Sequence, residues 1–177
     1  MAYNSCSSIT LASIDARCDS SIGGIKRILI AQKDDVTDVT VDDTTGIITA
    51  ITMASNKKFQ QWLFRRNTGN YTSTSTSDAT KGNNSVTTEV SLQFSKAEAQ
   101  KRLEIQSAIN ANCVVIIEDA YGEYLYLGYD NEVTITNAVM QSGTATGDLS
   151  GFTLTFTDES AELPHFVDSS IINGLIA

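Results

Sequence analysis

The sequence predicts a mainly β fold of the α+β type: an antiparallel β-sandwich or barrel flanked by one α-helix at about residues 95–111. Three observations predict it. Residues 86–94 alternate between one set of mostly apolar side chains and one polar set, as a strand with one buried face does. Residues 95–112 contain a run of strong helix formers. Threonine and serine are abundant while proline occurs once, and this composition favours strands and turns.

The size and charge of the chain narrow the class of protein further. At 177 residues, with 41% hydrophobic residues, it is expected to form one globular domain spanning residues 1–177. Its formal net charge of −9 argues against tight binding to nucleic acid or to anionic lipid through net charge. The three cysteines, Cys6, Cys18 and Cys113, form no C-x-x-C pair, which favours reduced thiols over a disulfide framework.

The first half of the chain is predicted to contain three strands. Residues 1–24 are rich in serine and are expected to form an irregular N-terminal arm. Strands are predicted at residues 25–32, 46–53 and 59–66, and the last has apolar side chains on both faces. Residues 67–85, of low-complexity Ser/Thr composition, are predicted to be a long inter-strand loop. This loop is either a flexible hairpin tip or an arm that contacts another subunit through Tyr71, Thr72 and Thr74.

The strand at residues 86–94 and the helix after it carry the clearest patterns. One face of the strand is expected to pack inward and the other to meet water; the outward side chains are Thr87, Glu89, Ser91 and Gln93. Ser95 and Glu98 have the spacing of a capping box. On a helical projection Ala99, Leu103 and Gln106 share one side, whereas Ile105 and Ile109 share another. Two separate stripes predict that Ile105 and Ile109 contact a neighbouring subunit, so an aspartate at position 105 should impair assembly more than folding.

The second half is predicted to return to strands. Residues 114–117 are continuously apolar, which indicates a strand buried on both faces. A hairpin is expected around residues 119–129, and a final pair of strands at residues 133–140 and 151–157. The C-terminal extension at residues 159–177 contains apolar residues without a helix or strand period, so it is expected to need a partner surface.

No set of residues in the sequence indicates catalysis. His165 is the only histidine, and no serine or cysteine stands in a nucleophile-elbow motif. We therefore expect no enzymatic activity, no cofactor and no bound metal. Neither a signal peptide nor a membrane-spanning run is evident in the sequence, so we expect no contact with membranes.

Two short motifs and the order of the elements resemble one family. Residues 142–156, SGTATGDLSGFTLTF, are similar to a hairpin of virion proteins with the pattern Gly-Asp-x-x-Gly-aromatic-Thr-Leu, and residues 20–26, SSIGGIK, resemble a Gly-Gly-Ile-Lys opening in phages of gut Bacteroides-type hosts. The order of strands, long loop, single helix and final hairpin resembles the tail-tube fold of tailed bacteriophages. The resemblance covers roughly residues 20–166.

The resemblance implies a structural protein of the virion, assembled in the cytoplasm of the bacterial host. Tail-tube, tail-ring and head–tail connector proteins of this kind form homo-oligomeric rings, often hexamers, that contact other virion proteins and conduct viral DNA as non-specific cargo. Thr87, Glu89, Ser91 and Gln93 are then expected to face the lumen. The alternative is a β-sandwich binding module, such as the adhesion or carbohydrate-binding domain of a phage fibre, which should present exposed aromatic side chains to a ligand.

Overall fold

A computed structural model describes residues 12–14, 22–78, 80 and 82–177 of the chain. Within these residues eleven strands and two α-helices follow one another, with a single 3-10 turn at Lys33–Asp35 after the first strand. The elements are β1 Ile25–Gln32, β2 Val36–Val41, β3 Ile48–Met53, β4 Gln60–Leu63, β5 Gly69–Asp78, β6 Asn83–Ser95, α1 Ala99–Ile109, β7 Cys113–Asp119, β8 Tyr124–Leu127, β9 Thr134–Gln141, β10 Gly151–Ser160, β11 His165–Val167 and α2 Ser169–Leu175.

The strands form two sheets that pack on each other as an open β-sandwich, which confirms the predicted fold class. The larger sheet has seven strands in the order β2-β3-β11-β8-β7-β1-β4, and the smaller has four in the order β5-β6-β10-β9. One hydrophobic core lies between them, to which β1, β7 and β8 contribute from one side, and β6, β10 and α1 from the other. Phe94, Phe152 and Phe156 supply its largest buried side chains.

A second core covers the opposite face of the seven-stranded sheet. It joins β3 and the end of β11 to α2, with Phe59, Ile172 and Leu175 at its centre. Because β7 lies inside this sheet, it sends Val115 and Ile117 into the first core and Val114 and Ile116 into the second. The predicted strand at residues 114–117, buried on both faces, is therefore confirmed.

The alternation predicted for residues 86–94 is confirmed in β6. Its inward side chains, Val86, Thr88, Val90, Leu92 and Phe94, are all buried. Each is followed by a side chain that is exposed or half-buried on the other face. One of the inward residues is polar, and its hydroxyl is satisfied: Thr88 Oγ1 lies 2.8 Å from Ser73 Oγ on β5.

The prediction of a long loop at residues 67–85 was wrong for most of that range. Gly69–Asp78 is strand β5, which pairs with β6 in ten successive antiparallel positions from Gly69↔Leu92 to Asp78↔Asn83. Low-complexity Ser/Thr composition suggested a loop, but threonine is β-branched and suits an extended strand. A polar strand of this kind is stable here because its neighbour β6 supplies the hydrogen-bonding partner.

The N-terminal boundary of α1 also differs from the prediction. Ser95 ends β6 opposite Gly151, so the capping box with Glu98 does not form. The backbone turns at Lys96, which has φ of 67°, and the helix begins at Ala99 with Glu98 as its N-cap. Glu98 instead forms ion pairs with Lys96 at 2.6 Å and with Lys101 at 3.4 Å. Ser95 is held in the sheet by its pairing with Gly151, so β6 extends through the position at which the sequence predicted the helix to begin.

Residues 1–24 were expected to form an irregular arm, and residues 159–177 an extension without a regular period that needs a partner surface, either the protein's own body or a neighbour. At the C-terminus the residues 159–177 are instead ordered as the end of β10, then β11 and α2, and Asp168 caps α2 by accepting a hydrogen bond of 2.8 Å from the Ser170 N–H. Most of the predicted arm at residues 1–24 lies outside the described residues, as do Cys6 and Cys18. Cys113 is a buried free thiol.

One partly buried ion pair fixes β1 against β7. The Glu118 side chain, 11% exposed, accepts hydrogen bonds from Arg27 Nε and from Lys26 Nζ, the latter at 3.4 Å. Burial by itself would raise the pKa of Glu118, but the hydrogen bond and charge of Arg27 and the hydrogen bonds of Lys26 and Tyr124 lower it below its ordinary value. Since the pKa is lower in the folded state, the pair stabilises the protein above the unfolded pKa and loses this effect as the pH falls.

We expect Arg27→Met to lower the free energy of unfolding by about 1–3 kcal/mol near neutral pH, because it leaves the Glu118 carboxylate short of its closest donor. Urea denaturation at neutral pH and at about pH 4 measures this, and the difference between variant and wild type should shrink at the lower pH. Lys26→Met is the control: the Lys26 side chain is 50% exposed, and its loss should cost less than about 1 kcal/mol. Equal losses in the free energy of unfolding for the two variants would contradict the role of Arg27 as the main partner of Glu118.

Candidate functional site

The four-stranded sheet has one face turned away from both cores, and this outer face is the candidate site. Alternate residues of β6 reach it, and their neighbours on β5 and β10 extend it to either side. The cross-strand rows are Thr74–Thr87–Glu159, Thr72–Glu89–Thr157, Asn70–Ser91–Thr155, and Gln93 beside Thr153. All four predicted lumen-facing residues, Thr87, Glu89, Ser91 and Gln93, therefore lie together on this solvent-facing surface.

The charged side chains on the strands of this sheet are all acidic. None of its four strands contains a lysine or an arginine. Glu89 and Glu159 are its exposed acidic side chains among the paired rows. Lys57, Lys58, Arg65 and Arg66 belong to the connections on either side of β4 instead. A surface of hydroxyls, amides and carboxylates without cations repels a phosphate backbone rather than binding it.

The two edge strands of this sheet have little of the usual protection against pairing: β9 has one bulge, where its pairing with β10 skips Thr136, and the register of β5 is unbroken. Within the described residues, β5 pairs only with β6 and β9 pairs only with β10. Strand β9, TITNAVMQ, contains no charge and no proline, and β5, GNYTSTSTSD, contains a single charge at its last residue. Monomeric proteins usually block such edges with charged residues, proline or bulges. These two edges are therefore suited to pairing with another strand.

The directions of the strands make the two edges compatible with each other. Every neighbouring pair in the order β5-β6-β10-β9 is antiparallel. With an even number of alternating strands, β5 and β9 run in opposite directions. When β9 of one copy lies beside β5 of the next in the same orientation, the new pair is also antiparallel, so the sheet continues without interruption.

The predicted contact residues on the helix divide between the interior and the surface. Ile105 is 7% exposed and belongs to the core between the sheets, so its prediction as a subunit contact was wrong. Ile109 is 38% exposed at the end of α1, whereas Leu103 is 59% exposed. The helical projection separated these two sides correctly, but it could not show which one faced the core. Leu103 is the exposed apolar residue that the sequence prediction missed.

The three predicted contacts in residues 67–85 lie on β5. Tyr71 is half-buried and packs against the core between the sheets, and burial raises the pKa of its hydroxyl. It therefore anchors β5 to its own subunit. Thr72 and Thr74 are exposed on the outer face, next to Glu89 and Thr87. These two remain predicted contact residues, now as members of an edge strand.

The described part of the chain shows no candidate metal site. It contains no group of three or more His, Cys, Asp or Glu residues placed to hold a metal ion. The His165 ring lies 3.0 Å from the Gly46 carbonyl through Nδ1, which must donate this hydrogen bond. The described helices include none long and apolar enough to cross a membrane.

Comparison with other proteins adds no family to these observations. No protein-family model matches the chain, and neither a characterised protein nor a solved structure matches it. What this protein does must therefore be inferred from its own residues and their arrangement.

Proposed function

We propose that this protein is a structural subunit of a phage virion that assembles head to tail into a ring or tube and forms a conduit for viral DNA. The observation that carries the proposal is the four-stranded sheet with two edge strands, β5 and β9, that carry little charge and run in opposite directions. Pairing of β9 with β5 of the next copy removes both edges in every subunit of a closed ring. The other partners are then further virion proteins at the two ends of the ring, and no membrane is involved.

The geometry also supports the role of the outer face. In a closed ring the four-stranded sheets become one cylinder, and the seven-stranded sheet of each subunit lies outside it. Six copies, the number that the tail-tube resemblance implies, bring together twenty-four strands. At roughly 4.8 Å between strands the cylinder is at least about 35 Å across between backbones, which leaves a water-filled channel. Thr87, Glu89, Ser91 and Gln93 would line this channel, and the absence of cations from the four strands lets DNA pass without binding.

Lysine at the proposed contact should prevent assembly. We expect Val139→Lys on β9 combined with Thr72→Lys on β5 to convert rings into monomers, because a lysine on each edge puts like charges on both sides of the contact and opposes strand pairing. Both side chains are exposed in the single subunit, so the fold should survive. Sedimentation velocity gives the mass, negative-stain images show rings or tubes, and circular dichroism checks the fold.

The control is Thr40→Lys on β2, an exposed residue at the edge of the other sheet. It adds one positive charge to an edge strand without touching the proposed contact and should leave assembly unchanged. A wild-type protein that stays monomeric at high concentration, or a double variant that still forms rings, would overturn the proposal.

The binding-module alternative rests on exposed aromatic side chains, and three occur in the described residues: Tyr121, Tyr129 and Phe166. They lie in the β7–β8 turn, just after β8, and on β11, and none belongs to the four-stranded sheet. A monomer that binds oligosaccharides and loses them on Tyr121→Ala would favour this alternative over the ring.

A further inference from the structure

Strand β4 forms one edge of the seven-stranded sheet, and its side away from β1 is open. Among the described strands, β4 pairs only with β1. Phe59, just before β4, turns its backbone away from β1: its N–H donates to the Leu175 carbonyl and its C=O accepts from the Ala177 N–H. Because these groups change side at every residue of a strand, Gln61 and Leu63 also turn theirs to the side where no described strand pairs with β4.

A groove of about 780 Å³ lies beside this edge, between β4 and helix α1. The strand lines it with Gln60, Gln61 and Trp62, and the helix lines it with Gln100, Glu104 and Ser107. An extended peptide can add a strand to an exposed sheet edge, where its main-chain hydrogen bonds give affinity and a neighbouring groove receives alternate side chains. The open side of β4 and this groove together provide both requirements.

The charge around β4 is opposite to that of the whole protein. Lys57 and Lys58 come before β4, Arg65 and Arg66 come after it, and residues 57–66 contain no acidic residue. Four of the 12 lysines and arginines in a chain of net charge −9 therefore lie within this short segment. A positive region on an acidic protein is suited to a partner of the opposite charge.

Two of these four cations have no partner among the described residues. Lys57 forms an ion pair with Asp35 at 3.2 Å, and Lys58 donates a hydrogen bond to the Gly174 carbonyl. The side chains of Arg65 and Arg66 are exposed and form neither an ion pair nor a hydrogen bond with any described residue. The two arginines are therefore available to a bound molecule, and they lie just beyond the open stretch of β4.

These charges also decide which kind of partner fits. Antiparallel pairing of β4 with β4 of a second copy would bring the lysines of one copy toward the arginines of the other, and like charges that face each other across strands are destabilising. A nucleic acid would be attracted by the same cations, but it has no peptide backbone to pair with Gln61 and Leu63. A peptide that carries carboxylates at its ends satisfies both the cations and the open backbone groups.

We propose that the open edge of β4 binds an extended acidic segment of another protein, which adds one more strand to the seven-stranded sheet. The backbone of this segment pairs with Gln61 and Leu63, and its carboxylates neutralise Arg65 and Arg66. The inference does not rest on the proposed assembly, because β4 takes no part in the pairing of β5 with β9.

The test is a titration of the full chain with a synthetic peptide, Glu-Glu-Thr-Val-Thr-Val-Glu-Glu, whose two ends are blocked. Trp62 is the only tryptophan and lines the groove, so its fluorescence reports directly on binding. We expect a saturable change in the Trp62 emission, with an affinity that falls as the salt concentration rises. The same peptide with lysine in place of glutamate should leave the emission unchanged, because its charges repel those at the ends of β4.

Arg65→Gln combined with Arg66→Gln should weaken the binding of this peptide about three- to tenfold, since two exposed charge pairs are lost. Arg102→Gln is the control: Arg102 is exposed on α1 but does not line the groove, so its loss should leave binding unchanged. Equal binding by the double variant and wild type would overturn the role of the two arginines and with it the proposal.

Backbone pairing is tested on the peptide, so that the fold of the protein is not altered. A strand pairs with one neighbour through every second residue, so N-methylation of the two threonines and N-methylation of the two valines block opposite edges of the peptide. One of these two peptides should lose binding and the other should keep it. Equal binding by both, unchanged Trp62 emission with the parent peptide up to about 1 mM, or tighter binding of single-stranded DNA than of the parent peptide would each overturn the proposal.

Discussion

Ile105→Asp should unfold the protein, and not only prevent its assembly. The Ile105 side chain is 7% exposed and lies in the core between the sheets, together with Phe94, Phe152 and Cys113. The substitution removes a buried aliphatic group and places a carboxylate among apolar side chains, so we expect a loss of about 4 kcal/mol or more in the free energy of unfolding. Typical domains have only about 5–15 kcal/mol in total. Urea denaturation followed by far-UV circular dichroism measures the change.

Leu103→Asp is the matched control on the same helix. Leu103 is 59% exposed, so the same change two residues earlier should alter the free energy of unfolding by less than about 1 kcal/mol. If Ile105→Asp folds as stably as wild type, the placement of α1 on the sandwich is wrong. If Leu103→Asp folds normally but lowers the mass of the assembled particle, Leu103 takes the role at a subunit contact that the sequence had suggested for Ile105.

Gly151→Ala should be the second severe substitution. Gly151 begins β10 between Ser95 on β6 and Gln141 on β9. A Cβ atom at this position would overlap the carbonyl oxygen of Phe94 and lie 3.0 Å from its carbonyl carbon. The obstacle is the backbone of a neighbouring strand, so no side-chain rotation relieves it. We expect a loss on the order of 3 kcal/mol or more, or failure to fold, measured by the same denaturation experiment.

Gly147→Ala provides the comparison. Gly147 lies in the connection between β9 and β10, and a Cβ atom there meets nothing within 4 Å. The same substitution should therefore change stability by no more than about 0.5 kcal/mol. A mild effect of Gly151→Ala would show that β6 and β10 can separate at this point without cost, and would contradict the close approach of the two strands.

The patterns that predicted structure correctly were local ones with a strict period. The two-residue period of β6 fixed which side chains are buried, from Val86 to Phe94, and the continuous apolar run of β7 indicated a strand with two covered faces. Both follow from the geometry of a single strand. The same reasoning placed Thr87, Glu89, Ser91 and Gln93 on one surface. Their role in a lumen stays a proposal.

The predictions that failed depended on neighbours distant in sequence. Residues 69–78 have no apolar alternation, and they form β5 only because β6 offers ten pairing positions. The capping box at Ser95 and Glu98 was a sound local pattern, but the pairing of Ser95 with Gly151 takes precedence. The projection of α1 predicted two apolar stripes and could not show which one faces the core, because the core that receives Ile105 is assembled from strands up to about eighty residues away.

By itself, then, the sequence determined the mainly β class, the two faces of β6 and the absence of cations from the segments that form β5, β6, β9 and β10, since composition and period are properties of the chain alone. Only the tertiary structure decided that these four strands form one sheet with complementary open edges, because strand order depends on long-range pairing. It also decided that Asp158, one of 21 acidic residues, is buried, with one carboxylate oxygen that accepts no hydrogen bond from a described residue. Burial is a property of the packed fold, so no local pattern distinguishes that aspartate from the others.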